Sequence, residues 1–131
     1  MTVTSPPTSA DRTVEAHTEL FTVLQKKHGL AEGLAAAGMT VGYRLTDAGT
    51  ELRITPDGIA TGRGGSPADV TFVVGSADSH ELWSGRLSLP RALGTGRLVV
   101  LGRSQQVLRL VQLLLPAFAL YPDIAERAGL S

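Results

Sequence analysis

The residue types best suited to chemistry are the titratable side chains next to apolar stretches, namely Tyr43, Asp69, His80 and Tyr121. An apolar pocket withholds water from such groups and shifts their pKa values, which prepares them for proton transfer. One hypothesis is therefore a small enzyme that acts on a polyketide-like or acyl substrate by acid–base catalysis. For His80 a solvated helix start is the simpler interpretation, because the acidic neighbours Asp78 and Glu81 are typical of a first helical turn.

The second chemical feature is a stretch from Leu82 to Pro122 that contains no Asp or Glu, although the whole chain has 12 acidic and 12 basic residues. Guanidinium groups bind carboxylates, phosphates and anionic membrane surfaces. We therefore interpret Arg91 and Arg103 as candidates for binding an anionic head group. The alternative is that the arginines solvate helix exteriors and pair with Asp78, Glu81 or the strands. The stretch contains Arg86, Arg91, Arg97, Arg103 and Arg109.

Several classes of site are excluded or disfavoured. None of His17, His28 and His80 has a second His three or four residues on, as a metal pair on a helix needs, so we interpret all three as surface or partly buried residues. The glycine loops complete neither the dinucleotide fingerprint nor the phosphate-loop motif, and no Gly-x-Ser-x-Gly sequence occurs. We expect no cofactor and no metal. The formal net charge of zero argues against a nucleic-acid partner.

Length and composition predict one globular domain. The chain has 131 residues, 43% of them hydrophobic, and no cysteine, which fits a reducing cytoplasm. Met1–Ala10 has no apolar core and is interpreted as a disordered leader, which leaves Asp11–Ser131 as the domain. The longest apolar run, Leu110–Tyr121, is too short for a membrane span of about 20 residues. The Ala, Gly, Arg and Leu bias, with Lys26 and Lys27 as the only lysines, suggests a GC-rich bacterial genome.

The first half of the chain predicts helices followed by strands. Asp11 is a plausible N-cap for a helix from Arg12 to His28, and Leu30–Ala37 forms a second, short helix. From Val41 onward the apolar residues alternate with a period of two, and Asp-Ala-Gly and Pro-Asp-Gly turns interrupt the pattern. We predict an antiparallel meander of four strands. Its strands lie around Val41–Leu45, Leu52–Ile54, Ile59–Arg63 and Val70–Val74.

The second half predicts short helices around a buried strand. A helix over Ala77–Ser84 and an apolar turn over Leu87–Leu93 precede Arg97–Leu101, which is apolar on both faces and is therefore placed centrally in the sheet. A helix from Arg103 to Leu115 follows. After Pro116 we expect two short helical pieces, separated by Pro122, that act as a flap. The fold class is α+β: five mostly antiparallel strands, with helices covering one face and enclosing an apolar cavity.

The sequence ADVTFVV, followed by LWSGRLSLPRALGTGRLVVLG and an apolar helix, resembles the sterol carrier protein type two family. The resemblance rests on Ala68-Asp69-Val70, on Gly85 and on the Gly96–Gly102 strand, and it covers roughly Met39 to Leu115. It implies a five-stranded sheet backed by helices around an apolar tunnel, without cofactor, metal or catalytic residues. It also implies a carrier of sterols, fatty acids or fatty acyl-CoA.

The hypothesis that follows is a binding or transfer module for one elongated hydrophobic molecule, with its head group near arginines. The enzyme on the same scaffold remains an alternative, and a module that dimerises through its apolar C-terminal helix is a second one. Two further partners stay open, a membrane surface met transiently and a second copy of the chain. The residues we expect at the ligand are Phe72, Trp83, Leu87, Leu93, Val107, Leu110, Val111, Leu114, Phe118 and Tyr121.

Overall fold

The computed structural model describes residues 9–61 and 68–130. Within them the helices are α1 (Ser9–Lys27), α2 (Leu30–Ala37), α3 (Ser76–Trp83), α4 (Leu89–Gly94), α5 (Ser104–Leu114) and α6 (Ala117–Arg127). The strands are β1 (Val41–Leu45), β2 (Thr50–Thr55), β3 (Gly58–Thr61), β4 (Val70–Val74) and β5 (Leu98–Leu101). The predicted Met1–Ala10 leader lies almost entirely outside the described residues, although α1 begins at Ser9, before the expected Asp11 cap.

The five strands form one sheet in the order β3-β2-β1-β4-β5. The pairs β1–β2, β2–β3 and β4–β5 are antiparallel, whereas β1 and β4 are parallel. The sheet is therefore mostly antiparallel, as predicted, but the four-strand meander is wrong at its last strand. A parallel neighbour needs a long crossover. Here β2 and β3 lie between the two strands in sequence, and β4 pairs with the side of β1 that β2 does not occupy.

The central position predicted for Arg97–Leu101 is also wrong, because β5 is an edge strand that pairs with β4 alone. Leu98 is buried, but Val99 and Leu101 are 44% and 53% exposed. Apolar residues on both faces are typical of a strand covered on both sides. In this sheet helices cover one face, so the other face of β5 keeps its apolar side chains in solvent.

Alternation along the strands builds the core on the covered face, which confirms the predicted α+β fold class. Successive side chains of a strand point to opposite faces, and the inward set is buried while outward residues such as Arg44 are exposed. Helices α1 and α2 add Leu20, Leu24 and Leu34 to the same core. The inward strand residues are Val41, Tyr43, Leu45, Leu52, Ile54, Val70, Phe72, Val74 and Leu98.

The two short pieces predicted after Pro116 are one continuous helix, α6, with Pro122 inside it. Its buried residues Tyr121 and Ile124 lie on the side that packs against α1. A proline inside a helix costs about 3 kcal/mol. Burying two large side chains gains about 1.5–3 kcal/mol each, so packing outweighs the break that the sequence suggests.

In the described part of the chain no single helix is long and apolar enough to cross a membrane. By length and composition only α5 and α6 together would pass, and they are bent by 60°.

Candidate functional site

The candidate site is an apolar pocket between the covered face of the sheet and helices α3, α4, α5 and the start of α6. The space inside it is small, about 20 Å³. Its lining is Tyr43, Phe72, Leu82, Trp83, Leu89, Leu98, Val111, Leu114 and Phe118. No charged side chain belongs to this set, so the pocket suits the uncharged part of a ligand.

The sheet provides the floor of the pocket through strand register. Tyr43 of β1 and Phe72 of β4 are direct neighbours in the parallel pair, and their ring centroids lie 5.6 Å apart. Leu98 of β5 faces the same side. The inward positions of three neighbouring strands thus line one wall, which follows from the period-two pattern of the sequence.

Trp83 stands where α3 ends and contributes to the opposite wall. Gly85 follows with a φ of 83°, a left-handed conformation that glycine adopts without strain, and turns the chain away. The Trp83 ring lies 5.0 Å from that of Phe118 in α6, centroid to centroid. Its indole N–H donates a hydrogen bond of 2.9 Å to the Tyr43 hydroxyl. Trp83 therefore joins the α6 side of the pocket to its floor.

Behind the floor, the Tyr43 hydroxyl belongs to a buried hydrogen-bond chain. Indole nitrogen can only donate and a carbonyl oxygen can only accept, so the two ends fix the direction. Tyr43 accepts from Trp83 and donates to the Ser79 hydroxyl at 2.5 Å. Ser79 donates to Nε2 of His17 at 2.5 Å, and Nδ1 of His17 donates to the Thr13 carbonyl at 2.7 Å. His17 is thereby held neutral with its proton on Nδ1.

Burial shifts the pKa values in this chain. It lowers the pKa of His17 to about 4, and the Thr13 carbonyl offsets part of that effect. Burial also raises the pKa of Tyr43 to about 12, and the hydrogen bonds that its hydroxyl forms with Ser79 and Trp83 oppose part of that effect. Both groups are neutral near pH 7. Because Ser79 and His17 have no exposed surface, no substrate atom can reach them in this conformation. The hydrogen-bond chain therefore acts as a structural link between α1, β1 and α3.

A second polar pair joins α3 to α6. Nδ1 of His80 lies 2.8 Å from the Tyr121 hydroxyl. Burial raises the pKa of Tyr121, and burial followed by the charge of Arg86 lowers the pKa of His80. The Tyr121 ring also lies 5.4 Å from that of His17. Both tyrosines of the acid–base hypothesis therefore flank His17, with His80 on the outer side.

The fourth acid–base candidate, Asp69, has a separate role. Its carboxylate accepts hydrogen bonds from the backbone N–H of Thr40 at 2.8 Å and from the Thr40 hydroxyl at 3.2 Å. These bonds join the segments that enter β4 and β1, the two parallel strands.

Among solved structures, sterol carrier protein 2 domains resemble this chain over most of its length. The domain from Helicoverpa armigera superposes with a TM-score of 0.66 at 18% identity, covering 90% of this chain and 96% of that one. Sterol carrier protein 2 from Yarrowia lipolytica gives 0.53 at 18% identity over 95% and 96%. A structure titled UbiJ-SCP2 ubiquinone synthesis protein gives 0.56 at 21% identity over 80% and 94%.

The chain has the sterol carrier protein 2 fold. No protein-family model and no curated protein sequence matches it. At these identities the likeness establishes the fold, and the resemblance found in the sequence is confirmed at that level.

Within this sterol carrier protein 2 fold, half of the predicted ligand residues meet at the pocket. Phe72, Trp83, Val111, Leu114 and Phe118 line it. The others lie elsewhere: Leu87, Leu110 and Tyr121 are buried outside the lining, Val107 is half-buried, and Leu93 is 46% exposed.

The sequence interpretation missed part of the pocket and misjudged one histidine. Tyr43, Leu82, Leu89 and Leu98 line the pocket but were not predicted as ligand contacts, although period-two alternation in β1 already pointed Tyr43 to the apolar face. His17 was interpreted as a surface or partly buried residue, and this is wrong because it is fully buried. Its partners Ser79 and Tyr43 are distant in sequence, so no local pattern reveals them.

The arginines of the stretch without acidic residues differ in whether they form salt bridges. Arg86 pairs with Glu81 at 2.6 Å and Arg97 with Asp78 at 3.9 Å, as the solvated-surface alternative predicts. The two candidates for anion binding, Arg91 and Arg103, are exposed, and neither forms a salt bridge within the described residues.

Proposed function

We propose that this chain binds one hydrophobic small molecule between the sheet and helices α3 to α6 and carries it without chemical change. The observation that supports this most strongly is a pocket lined by apolar and aromatic side chains on a fold whose solved relatives are titled sterol carrier proteins. The ligand class is a fatty acid, an acyl-CoA, a sterol or a similar lipid. Apolar burial supplies the driving force, about 2.5 kcal/mol for every 100 Å² removed from water.

The pocket must expand to accept such a ligand. A space of about 20 Å³ holds roughly one water molecule. The movable part of the wall is the α5–α6 corner, where the helix direction changes by 60° and Phe118 is 38% exposed. We propose that outward movement of Phe118 and of the helix carrying Val111 and Leu114 opens the pocket, while the hydrogen-bonded floor stays fixed.

The anionic head group of a fatty acid or acyl-CoA would lie outside the apolar lining. Arg103 directly precedes α5, the helix that supplies Val111 and Leu114, and Arg91 lies in α4, the helix that supplies Leu89. We propose both as head-group contacts, because each is exposed and without a salt-bridge partner in the described residues.

A matched pair of variants in α5 tests this proposal. Val111→Trp adds an indole at the pocket lining, whereas Val107→Trp adds it one turn earlier, outside the lining, at a site that is also half-buried. In a titration with a fluorescent fatty acid, Val111→Trp should lose at least about tenfold in affinity, the equivalent of about 1.4 kcal/mol, and Val107→Trp should keep the parent value. Equal effects of the two variants would contradict the assignment of the pocket.

A further inference from the structure

The cover of the pocket is unusual because it is apolar on its outside as well. Of the large hydrophobic residues that are exposed in the described chain, Leu108, Leu115 and Phe118 lie on this cover, whereas Val99 and Leu101 lie on the open face of β5. Leu108 and Leu115 of this set are 66% and 54% exposed, although α5 also presents Leu110 and Leu114 to the interior. The full set is Leu93, Val99, Leu101, Leu108, Leu115 and Phe118.

Helical geometry places the outer residues of α5 together. Leu108 and Leu115 are seven residues apart, which is two helical turns, so they project from the same side. Arg109 and Gln112 are exposed between them. Phe118 follows at the bend and is both a pocket residue and partly exposed. We call Leu108, Arg109, Leu115 and Phe118 the outer cover surface.

The charge of this surface selects its partner. Neither α5 nor the loop before it contains an acidic residue, and the whole span from Leu82 to Pro122 contains none. Arg103 and Arg109 form no salt bridge within the described residues. A second copy docked by two-fold symmetry on this same surface would bring the two sets of arginines together, which is repulsive. A partner surface that carries negative charge above an apolar layer matches both the exposed apolar side chains and these arginines.

We propose that the outer cover surface docks on anionic lipid bilayers, with Leu108, Leu115 and Phe118 entering the interface and Arg103 and Arg109 contacting lipid phosphates. Apolar side chains lie at the boundary between head groups and acyl chains, and each arginine near an anionic surface contributes about fivefold to binding. Docking through the cover would open the pocket toward the membrane. The inference extends the proposed function, since the same corner would admit the ligand, but it is tested separately.

The experiment is co-sedimentation with vesicles, carried out on the full chain. Vesicles of phosphatidylcholine and phosphatidylglycerol in equal amounts should bind the protein, whereas phosphatidylcholine alone should bind it much more weakly, and added salt should release it. Leu108→Gln with Leu115→Gln should reduce binding about tenfold or more. Arg109→Gln should reduce it about fivefold. The matched control is Lys26→Gln, which removes one exposed positive charge at the end of α1 and should leave binding unchanged.

Three results would overturn the docking proposal. They are equal binding to both kinds of vesicle, equal losses for Arg109→Gln and Lys26→Gln, and a dimer in solution that the double Leu→Gln variant dissociates. Ligand titration without vesicles distinguishes this failure from failure of the proposed function. If the protein binds a fluorescent fatty acid in solution but does not bind anionic vesicles, the pocket proposal stands and the docking proposal is refuted.

Discussion

The indole N–H of Trp83 donates to the hydroxyl of Tyr43 at 2.9 Å, and this contact joins the pocket to a chain of polar groups that ends inside the core. The chain continues through Ser79 to His17 without leaving a buried donor unpaired. The pocket thus has a hydrogen-bonded floor on the sheet side, and helices α5 and α6 form its cover.

Tyr43→Phe should destabilise the protein although the ring is retained. The substitution leaves the buried Trp83 N–H without an acceptor and removes the hydrogen bond that Ser79 accepts, although Ser79 still donates to His17. An unsatisfied buried group costs about 1–3 kcal/mol. Urea unfolding measures the change. Tyr121→Phe is the control, because its partner His80 is only half-buried and can turn to water. A Tyr43→Phe variant as stable as Tyr121→Phe would contradict the structural role of the hydrogen-bond chain from Trp83 to His17.

The stability of the protein should fall as the pH drops from about 6.5 to about 4. His17 is neutral in the folded state, where its pKa is about 4, but takes up a proton on unfolding below its ordinary value of 6.5. The stabilisation from the neutral imidazole is complete above pH 6.5 and declines by roughly 3 kcal/mol down to pH 4. Urea midpoints across this range measure it.

The control for the pH prediction is His17→Gln, whose amide is polar and can accept from Ser79 but does not titrate. It should flatten the pH dependence in that window. His80 also has a lowered pKa and lies near Tyr121, so His80→Gln is measured in parallel to remove its smaller contribution. A parent slope that His17→Gln leaves unchanged would show that His17 is not the titrating group.

Leu98→Asp should unfold the domain or cost several kcal/mol, because it buries an unpaired carboxylate in the pocket wall. Val99→Asp, one residue on, points to the open face of the same edge strand and should change the free energy of unfolding by little. Circular dichroism and thermal melting compare the two. Equal melting temperatures would contradict the burial assigned to the two faces of β5.

Gly102→Ala should be more damaging than Gly38→Ala, although both glycines have positive φ angles, 148° and 59°. A methyl group at Gly102 would lie 2.8 Å from the Asp69 carbonyl oxygen, whereas nothing lies within 4 Å at Gly38. Gly38→Ala should cost about 1 kcal/mol of backbone strain. The larger loss at Gly102 would arise where the chain passes from β5 into α5. Chemical unfolding of both variants measures the difference, and an equal cost would contradict the tight contact.

Local patterns predicted much of this fold. Period-two alternation located β1, β2 and β4, an apolar run located β5, and the glycines at positions 29 and 38 marked helix boundaries. Long-range pairing was not predictable in the same way. The position of β5 depends on which face of the sheet the helices cover, and Leu98–Leu101 looks the same in a central and in an edge strand. The continuous α6 depends on packing against α1, which outweighs the local preference of Pro122.

The candidate site, like the fold, was predictable from the sequence only in part. Side chains on apolar helix stripes, such as Val111 and Leu114, were recognised because helical spacing alone places them inward. The polar floor was not recognised, since His17, Tyr43 and Ser79 come from three elements far apart in sequence and meet only through the sheet register and the packing of α1 and α3.

The most direct measurement of the central claim uses Trp83, which is the single tryptophan of the chain and lines the pocket. A fatty acid with bromine atoms on its hydrocarbon tail quenches an indole that it contacts. We expect saturable quenching at one ligand per chain, reversed by competition with the unbrominated fatty acid. Quenching that fails to saturate, or a fluorescence that does not change while the protein stays folded, would contradict a ligand site between the sheet and helices α3 to α6.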